Sequence, residues 1–401
     1  MEIRPILSAL LRNKTGAILI ALQIALTLAI VCNAVFIIHD RITQMGRPSG
    51  MDEENIFVVN MAAYKPDYVA DSAAKADLEV LRSLPGVVDA SYTQSVPLSG
   101  GGWSSSYTPV ADLHPKSTVD SGVYHMDEHA LNALGVKLAE GRNFTHDEVD
   151  YVDADKYTQP KLVIVSRAFG EKLWPGQDAL GKTMYEGNDS ATVIGVLDTL
   201  EGTWPHWEGF ERTIIFPSVM ESAYMRYIVR TLPGQRDEVM QQAEKKLTDA
   251  HTGNFVRSIH SLAYFRDQTN SDDHAMTVML SIVTLLILTI TALGIVGLAS
   301  FSVRQRTRQI GTRRALGARR IDIVRYFMTE NWLITTMGVT LGSVFAVALN
   351  YWLVQLYDLP HIAWYYIPVG IVTLWVLGLL AVLGPALKAA AIPPAIATRN
   401  V

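Results

Sequence analysis

The stretch AMTVMLSIVTLLILTITALGIVGLASFSV, residues 275–303, contains no Asp, Glu, Lys or Arg, and RQRTRQIGTRRALGARRIDIVR, residues 304–325, follows it directly. An α-helix needs about 20 apolar residues to cross a hydrocarbon layer of about 30 Å. The first stretch is long enough. The second carries eight arginines against one acidic residue, Asp322. Such an excess of positive charge beside a span marks the cytoplasmic side of a membrane.

Three further stretches, residues 15–38, 331–357 and 359–387, also lack charged side chains. The last two are predicted to form a helical hairpin, because Asp358 and Pro360 interrupt the apolar run. The sequence therefore predicts four transmembrane helices, at residues 15–39, 275–303, 329–356 and 359–387. It places residues 1–14, 304–328 and 388–401 in the cytoplasm.

A secretory signal peptide is the alternative for the first stretch, since Arg4, Arg12 and Lys14 precede it. The apolar core of a signal peptide is only about 7–15 residues long. This run is longer and lacks a small-residue cleavage site at its outer end, so we expect a retained anchor.

Residues 40–274 are expected outside the cytoplasm as a large α+β domain. Residues 40–275 hold 35 acidic and 21 basic side chains, the opposite balance to the arginine-rich loop. The chain's one cysteine, Cys32, lies in the first span, so the domain has no disulfide.

Two strand–helix–strand patterns are predicted in this domain, the first at residues 55–60, 71–84 and 87–92. The second covers residues 226–230, 234–252 and 254–259. We expect them to pair as a ferredoxin-like, porter-type layer formed by residues 40–103 and 221–274. A β-rich part, residues 104–220, is inserted between them.

GQDALGKT, residues 176–183, matches the phosphate-loop pattern. A functional phosphate loop follows a buried strand and opens a helix whose amides hold the phosphates. Trp174 and Pro175 precede the first glycine, and a strand pattern follows Thr183, so we expect no nucleotide here.

Two other clusters in the external domain admit a functional interpretation. His125 and His129 lie four apart on a predicted helix, but no third metal ligand has a convincing spacing, so a solvated helix face is favoured over a metal site. Trp204, His206 and Trp207 form a candidate contact for a periplasmic partner, with aromatic packing as the alternative. No catalytic set of side chains is found, and no bound cofactor or metal is expected.

The arginine-rich loop mixes basic and apolar side chains, which indicates a short amphipathic helix broken at Gly311 and Gly317. Binding to anionic lipid explains the charge alone, whereas docking of a cytoplasmic protein explains the apolar residues as well. The predicted docking residues are Arg308, Ile310, Gly311, Arg313, Arg314, Ala315, Leu316, Gly317, Ala318 and Ile321.

This loop, with Ile321 and Glu330, resembles the cytoplasmic segment of FtsX-like and MacB-like ABC transporter permeases. Residues 173–197 and the ending around Pro385, Pro393 and Pro394 are similar to other parts of the same family. The order of one span, a large external domain and three spans also matches.

The resemblance implies a permease of the bacterial inner membrane with its large domain in the periplasm. The implied partners are a second permease subunit, identical or homologous, a cytoplasmic ABC ATPase dimer that holds ATP and Mg, and a periplasmic adaptor or membrane fusion protein. Because the chain begins at its first span and ends just after its fourth, the ATPase is expected on a separate chain. No nucleic acid is expected.

Three uses within the family remain open. The size of the external domain favours export through a tripartite assembly over mechanical signalling to a periplasmic partner or lipoprotein release. Outside the family, a membrane sensor or scaffold without transport is the alternative.

Overall fold

The computed structural model describes residues 14–65, 69–113, 117–153, 157–250, 253–357 and 360–393. It divides into a helical unit, Met1–Thr43 with Asp273–Val401, and an α+β unit, Gln44–Asp272. The helices are α1 (Lys14–Met45), α2 (Ala70–Arg82), α3 (Ala130–Leu134), α4 (Arg167–Leu173), α5 (Arg236–Asp249), α6 (Leu262–Thr269), α7 (Ser271–Gln305), α8 (Thr307–Ala315), α9 (Arg320–Tyr357) and α10 (Tyr366–Ala390). The strands are β1 (Ile56–Ala63), β2 (Val87–Tyr92), β3 (Trp103–Tyr107), β4 (Val119–Met126), β5 (Leu138–Gly141), β6 (Asp150–Asp153), β7 (Leu162–Ser166), β8 (Thr183–Glu186), β9 (Asp189–Leu197), β10 (Thr213–Glu221), β11 (Tyr224–Thr231) and β12 (Asn254–Ser261).

Four helices of the helical unit, α1, α7, α9 and α10, are long and apolar enough to cross a membrane. Polar contacts join them in addition to apolar packing. Thr27 of α1 and Thr291 of α7 share a hydrogen bond of 2.8 Å, and the Asn33 side chain donates to the carbonyl of Ala346 in α9 at 3.1 Å. Lipid tails are as apolar as the helix surfaces, so the hydrophobic effect does not drive spans together, and hydrogen bonds between helices contribute to their association instead.

In the helical unit, two predicted helices differ from the observed ones. The helix expected at 359–387 begins only at Tyr366, because Pro360 and the residues after it form a loop. The Asn350 side chain fixes this loop by accepting a hydrogen bond from the Ile362 amide at 3.1 Å.

The cytoplasmic coupling helix predicted within residues 304–328, with breaks at Gly311 and Gly317, consists of three pieces in the structure: the end of α7, all of α8 and the start of α9. The predicted break at Gly311 is wrong, since α8 runs through it. Gly317 does end the helical run: its φ of +98° is a conformation that favours glycine. Asp322 then accepts from the Arg319 amide at 2.9 Å, which caps the start of α9.

The α+β unit contains the predicted ferredoxin-like layer. Its four-stranded sheet has the order β12-β1-β11-β2 with antiparallel neighbours, so the two strand–helix–strand patterns interleave. Phe57 and Val59 of β1 pack under α2 and α5, while Ile56 and Val58 face a second core shared with the inserted strands. Burial on both faces explains why β1 begins as a continuous apolar run.

The insert is β-rich, as predicted, and forms an eight-stranded sheet from β3 to β10. It surrounds a separate core that includes Tyr107, Phe169 and Phe216. A bridge between Thr108 and Tyr185 links the end of β3 to β8, so the sheet curls back toward itself.

Candidate functional site: the basic segment

The basic segment, residues 304–325, has one face packed inside the helical unit. Ile310 is 5% exposed and lies in the core with Ile323 and Phe327 of α9. Gly311 beside it is also buried. Both are predicted docking residues, but in the structure they pack α8 against its own unit.

Two arginines of this segment contact Tyr326 of α9. Arg306, which precedes α8, donates to the Tyr326 hydroxyl at 2.9 Å and to the Glu330 carboxylate at 3.0 Å. The Arg313 guanidinium lies 5.2 Å from the centre of the Tyr326 ring, within the range of a cation–π contact. Glu330 is only 7% exposed, so Arg306 is the counter-charge of a buried carboxylate.

Arg314 contacts the C-terminal end of α10. Its Nη1 atom donates to the carbonyls of Ala390 at 3.0 Å and Ile392 at 2.7 Å, where α10 ends. Carbonyls at the end of a helix lack intrahelical partners and carry partial negative charge, so they favour a cation.

The opposite edge of the segment is exposed. Leu316 is 84% exposed and Ile321 is 64% exposed, on either side of the turn at Gly317. Arg308, Ala315 and Gly317 are exposed as well, and Ala318 is half-buried. The predicted docking residues therefore divide into an inner group that contacts the helical unit itself and an outer group that leaves two large apolar side chains uncovered.

The tryptophan cluster of the α+β unit is partly packed. The rings of Trp204 and Trp207 meet nearly edge to face at 6.2 Å, and Arg212 lies over Trp207 at 5.5 Å. Both tryptophans are half-buried, whereas His206 is exposed and lies 3.4 Å from the Thr269 carbonyl. Aromatic packing is thus present, and exposed ring surface remains beside it.

The phosphate-loop lookalike has the geometry of a connection between a helix and a strand. Helix α4 precedes it and β8 begins at Thr183, the reverse of a phosphate-binding loop. Gly176 and Gly181 have φ of +72° and +76°. Lys182 donates to the Gln177 side chain and lies 5.8 Å from the Trp174 ring.

The predicted helix carrying His125 and His129 does not form, so the solvated helix face favoured there is wrong. His125 lies in β4, 1% exposed, and bonds Ser218 at 2.7 Å, and burial lowers its pKa to about 4. His129 bonds Asp89 at 2.9 Å, and this bond raises the pKa of the imidazole. Among the residues that the structure describes, no group of three or more His, Cys, Asp or Glu side chains could hold a metal ion.

The α+β unit also contains a buried ionic cluster that the sequence patterns do not predict. Glu201, 3% exposed, lies 3.9 Å from Arg266, which also donates to Glu53 at 2.6 Å. The Glu201 amide donates to the Ser49 carbonyl at 3.0 Å. Burial raises the pKa of Glu201 to about 7, although the Arg266 charge opposes this. These residues are far apart in the sequence, so no local pattern could reveal them.

Four membrane-spanning helices, an α+β domain and an arginine-rich segment between spans define a multi-pass membrane protein with a large domain outside the membrane. Family models of the MacB-like periplasmic core domain and the FtsX-like permease C-terminal domain match residues 17–249 and 281–394. The chain therefore belongs to the MacB-like family of ABC transporter permeases. It is an inner-membrane protein with its large domain in the periplasm.

Similar curated proteins include the macrolide export ATP-binding/permease protein MacB of Chromobacterium violaceum. It is 25% identical over 268 residues, which cover 63% of this chain and 39% of the relative. A probable export ATP-binding/permease protein of Pseudomonas fluorescens is 26% identical over 244 residues, which cover 58% of this chain and 35% of the relative. The chain thus matches less than half the length of these relatives.

Two solved structures are also similar. The periplasmic region of MacB from Actinobacillus actinomycetemcomitans has 15% identity and a TM-score of 0.34, and the match covers 56% of this chain and 97% of that one. The extracellular domain of the noncanonic ABC-type transporter YknZ from Gram-positive bacteria has 17% identity and a TM-score of 0.32. That match covers 50% of this chain and all of the other.

Proposed function

We propose that this permease couples ATP hydrolysis on a partner ATPase to movement of its periplasmic domain, and thereby drives export. The single observation that carries the proposal is the outer edge of the basic segment. Leu316 and Ile321 are exposed there among arginines, while the neighbouring Ile310 is buried in the chain's own core. Large apolar side chains beside cations fit an apolar groove with an acidic rim on a second protein.

ATP and Mg belong to the partner in this proposal. The two permeases of the complex, identical or homologous, receive an ATPase dimer on the cytoplasmic side. Export is supported by the names of the relatives, which are export proteins. A periplasmic adaptor is the proposed partner of the outer domain, with the exposed surface around Trp204, His206 and Trp207 as its contact.

The apolar contact should dominate docking. Burying a leucine side chain contributes about 1.5–3 kcal/mol, whereas an exposed ion pair contributes about 0–1 kcal/mol. Leu316→Asp should therefore abolish copurification of the ATPase, because it would place an unpaired carboxylate in the groove. Leu316→Met should retain binding, since it conserves volume and apolar character.

Arg319→Ala is the matched control, because Arg319 is exposed on the same turn. We expect it to weaken copurification only mildly. Leu316 is already exposed, so its replacement should leave the amount of permease in the membrane unchanged. An L316D protein at parental levels that still binds the ATPase would contradict the docking assignment.

A further inference from the structure

We propose that Arg314 is a positioning residue that makes α10 move together with α8, and that Arg306 does the same for α9. This inference rests on the proposed function, because it concerns how a movement of the docked edge reaches the spans. It assigns to these two arginines a role inside the permease, distinct from contact with the ATPase.

Arg314 is suited to this role by its place and its partners. It lies in the last turn of α8, half-buried, and donates to the carbonyls of Ala390 and Ile392 at the end of α10. These bonds are 3.0 and 2.7 Å long, well inside the range for a directed bond. Apolar packing of Ile310 holds α8 in place without fixing its direction, since the hydrophobic effect is non-directional. The arginine bonds supply the missing direction.

Arg306 fixes the other end of α8 in a similar manner. One guanidinium nitrogen reaches both Tyr326 and Glu330, which lie about one turn apart on α9. Separating Arg306 from Glu330 would leave a buried carboxylate without a counter-charge, which is costly. Helix α8 is thus bonded to α9 at its start and to α10 at its end.

The exposed edge consists of Leu316, directly after α8, and Ile321, in the first turn of α9. Leu316 and Ile321 carry their side chains outward, whereas the arginine contacts point inward. A force applied to the outer edge therefore reaches α9 directly at Ile321. It reaches α10 from Leu316 through α8, by way of the packed Ile310 side chain and the Arg314 bonds. Meanwhile Arg306 holds the start of α8 on α9.

The test uses the full permease with its ATPase in nanodiscs. Thr312 on α8 and Lys388 on α10 are both exposed and outside the arginine contacts, so each can be replaced by a spin-labelled cysteine. Cys32 is the chain's only cysteine, so with Cys32→Ala the two introduced cysteines are the only sites that take a spin label. We expect one narrow label–label distance that is the same without nucleotide and with a non-hydrolysable ATP analogue, because the two helices move together.

Arg314→Gln should broaden that distance and make it depend on the nucleotide analogue, while the ATPase still copurifies. Arg314→Lys should restore most of the narrow distribution, since an ammonium group can still donate to the carbonyls. Arg304→Gln is the control, because Arg304 is exposed at the end of α7 and is not among the predicted docking residues, and it should change nothing.

A narrow, nucleotide-independent distance in R314Q would overturn the proposal, as would a nucleotide-dependent distance in the parent. Loss of ATPase binding in R314Q would overturn it too, since Arg314 would then be a docking residue. If instead L316D retains ATPase binding, the proposed docking fails, and the label distance measured without nucleotide still decides whether Arg314 joins the two helices.

Discussion

Glu201→Gln should make the stability of the α+β unit against unfolding less sensitive to alkaline pH. The pKa of Glu201 is raised from 4.5 to about 7 because the carboxyl group is buried. The folded state therefore disfavours the charged form. The protonated carboxyl carries no such penalty, so the α+β unit has its full stability below about pH 4.5. It loses this part of its stability as the pH rises through about 7.

The size of the effect follows from the two pKa values. Their difference corresponds to about 3 kcal/mol of unfavourable free energy once the carboxylate is charged. Proton linkage therefore lowers the free energy of unfolding by less than about 1 kcal/mol at pH 5 and by about 3 kcal/mol at pH 8. Glutamine stays neutral, so its advantage over glutamate should grow by about 2 kcal/mol between these pH values.

The assay is thermal unfolding of the full protein in detergent, followed by tryptophan fluorescence at pH 5 and pH 8. For a unit of this size, 2 kcal/mol corresponds to roughly 4–8 °C in Tm. Comparing Glu201→Gln with the parent at each pH removes effects common to both proteins. Arg266 keeps Glu53 as a partner, so the substitution leaves no isolated cation.

Glu208→Gln is the control, because Glu208 is exposed and close in sequence and its charge does not contribute to the raised pKa of Glu201. It should show no pH-dependent difference from the parent. If the Tm advantage of Glu201→Gln is equal at pH 5 and pH 8, the carboxyl is already charged in the folded state at pH 5. The reasoning from burial would then be refuted.

Two further predictions concern topology and the phosphate-loop lookalike. Cysteines at Asp150 and Gln305, both exposed, should react with an impermeant thiol reagent from opposite sides of the membrane, and same-side labelling would contradict the assigned topology. Lys182→Ala should leave ATP turnover by the assembled complex unchanged, because Lys182 lies between a helix and a strand that form no phosphate site. A collapse of turnover would show that the loop binds nucleotide.

The sequence determined the features that depend on composition over long windows. Charge-free stretches located all four membrane-spanning helices, and the arginine excess identified the segment between α7 and α9. Alternation of strand and helix patterns in the α+β unit predicted the interleaved layer. Each of these signals is summed over many residues, so single exceptions do not erase it.

Local features were predicted less well, since tertiary contacts override short patterns. His125 and His129 have helical spacing, yet His125 lies in β4, because the residues around it form a buried strand. Gly311 suggested a break, yet packing against the helical unit keeps α8 continuous. The early start predicted for α10 failed because a loop after Pro360 is held by a distant asparagine.

The roles of individual charged residues were decided only by the tertiary structure. Arg308 and Arg314 are indistinguishable in the basic segment, but one is exposed and the other bonds carbonyls that lie 76 and 78 residues further along the chain. Glu201 is one of 39 acidic residues, and only burial beside Arg266 separates it from the rest. Burial and long-range bonding depend on which segments meet in space, and that information is absent from local periodicity.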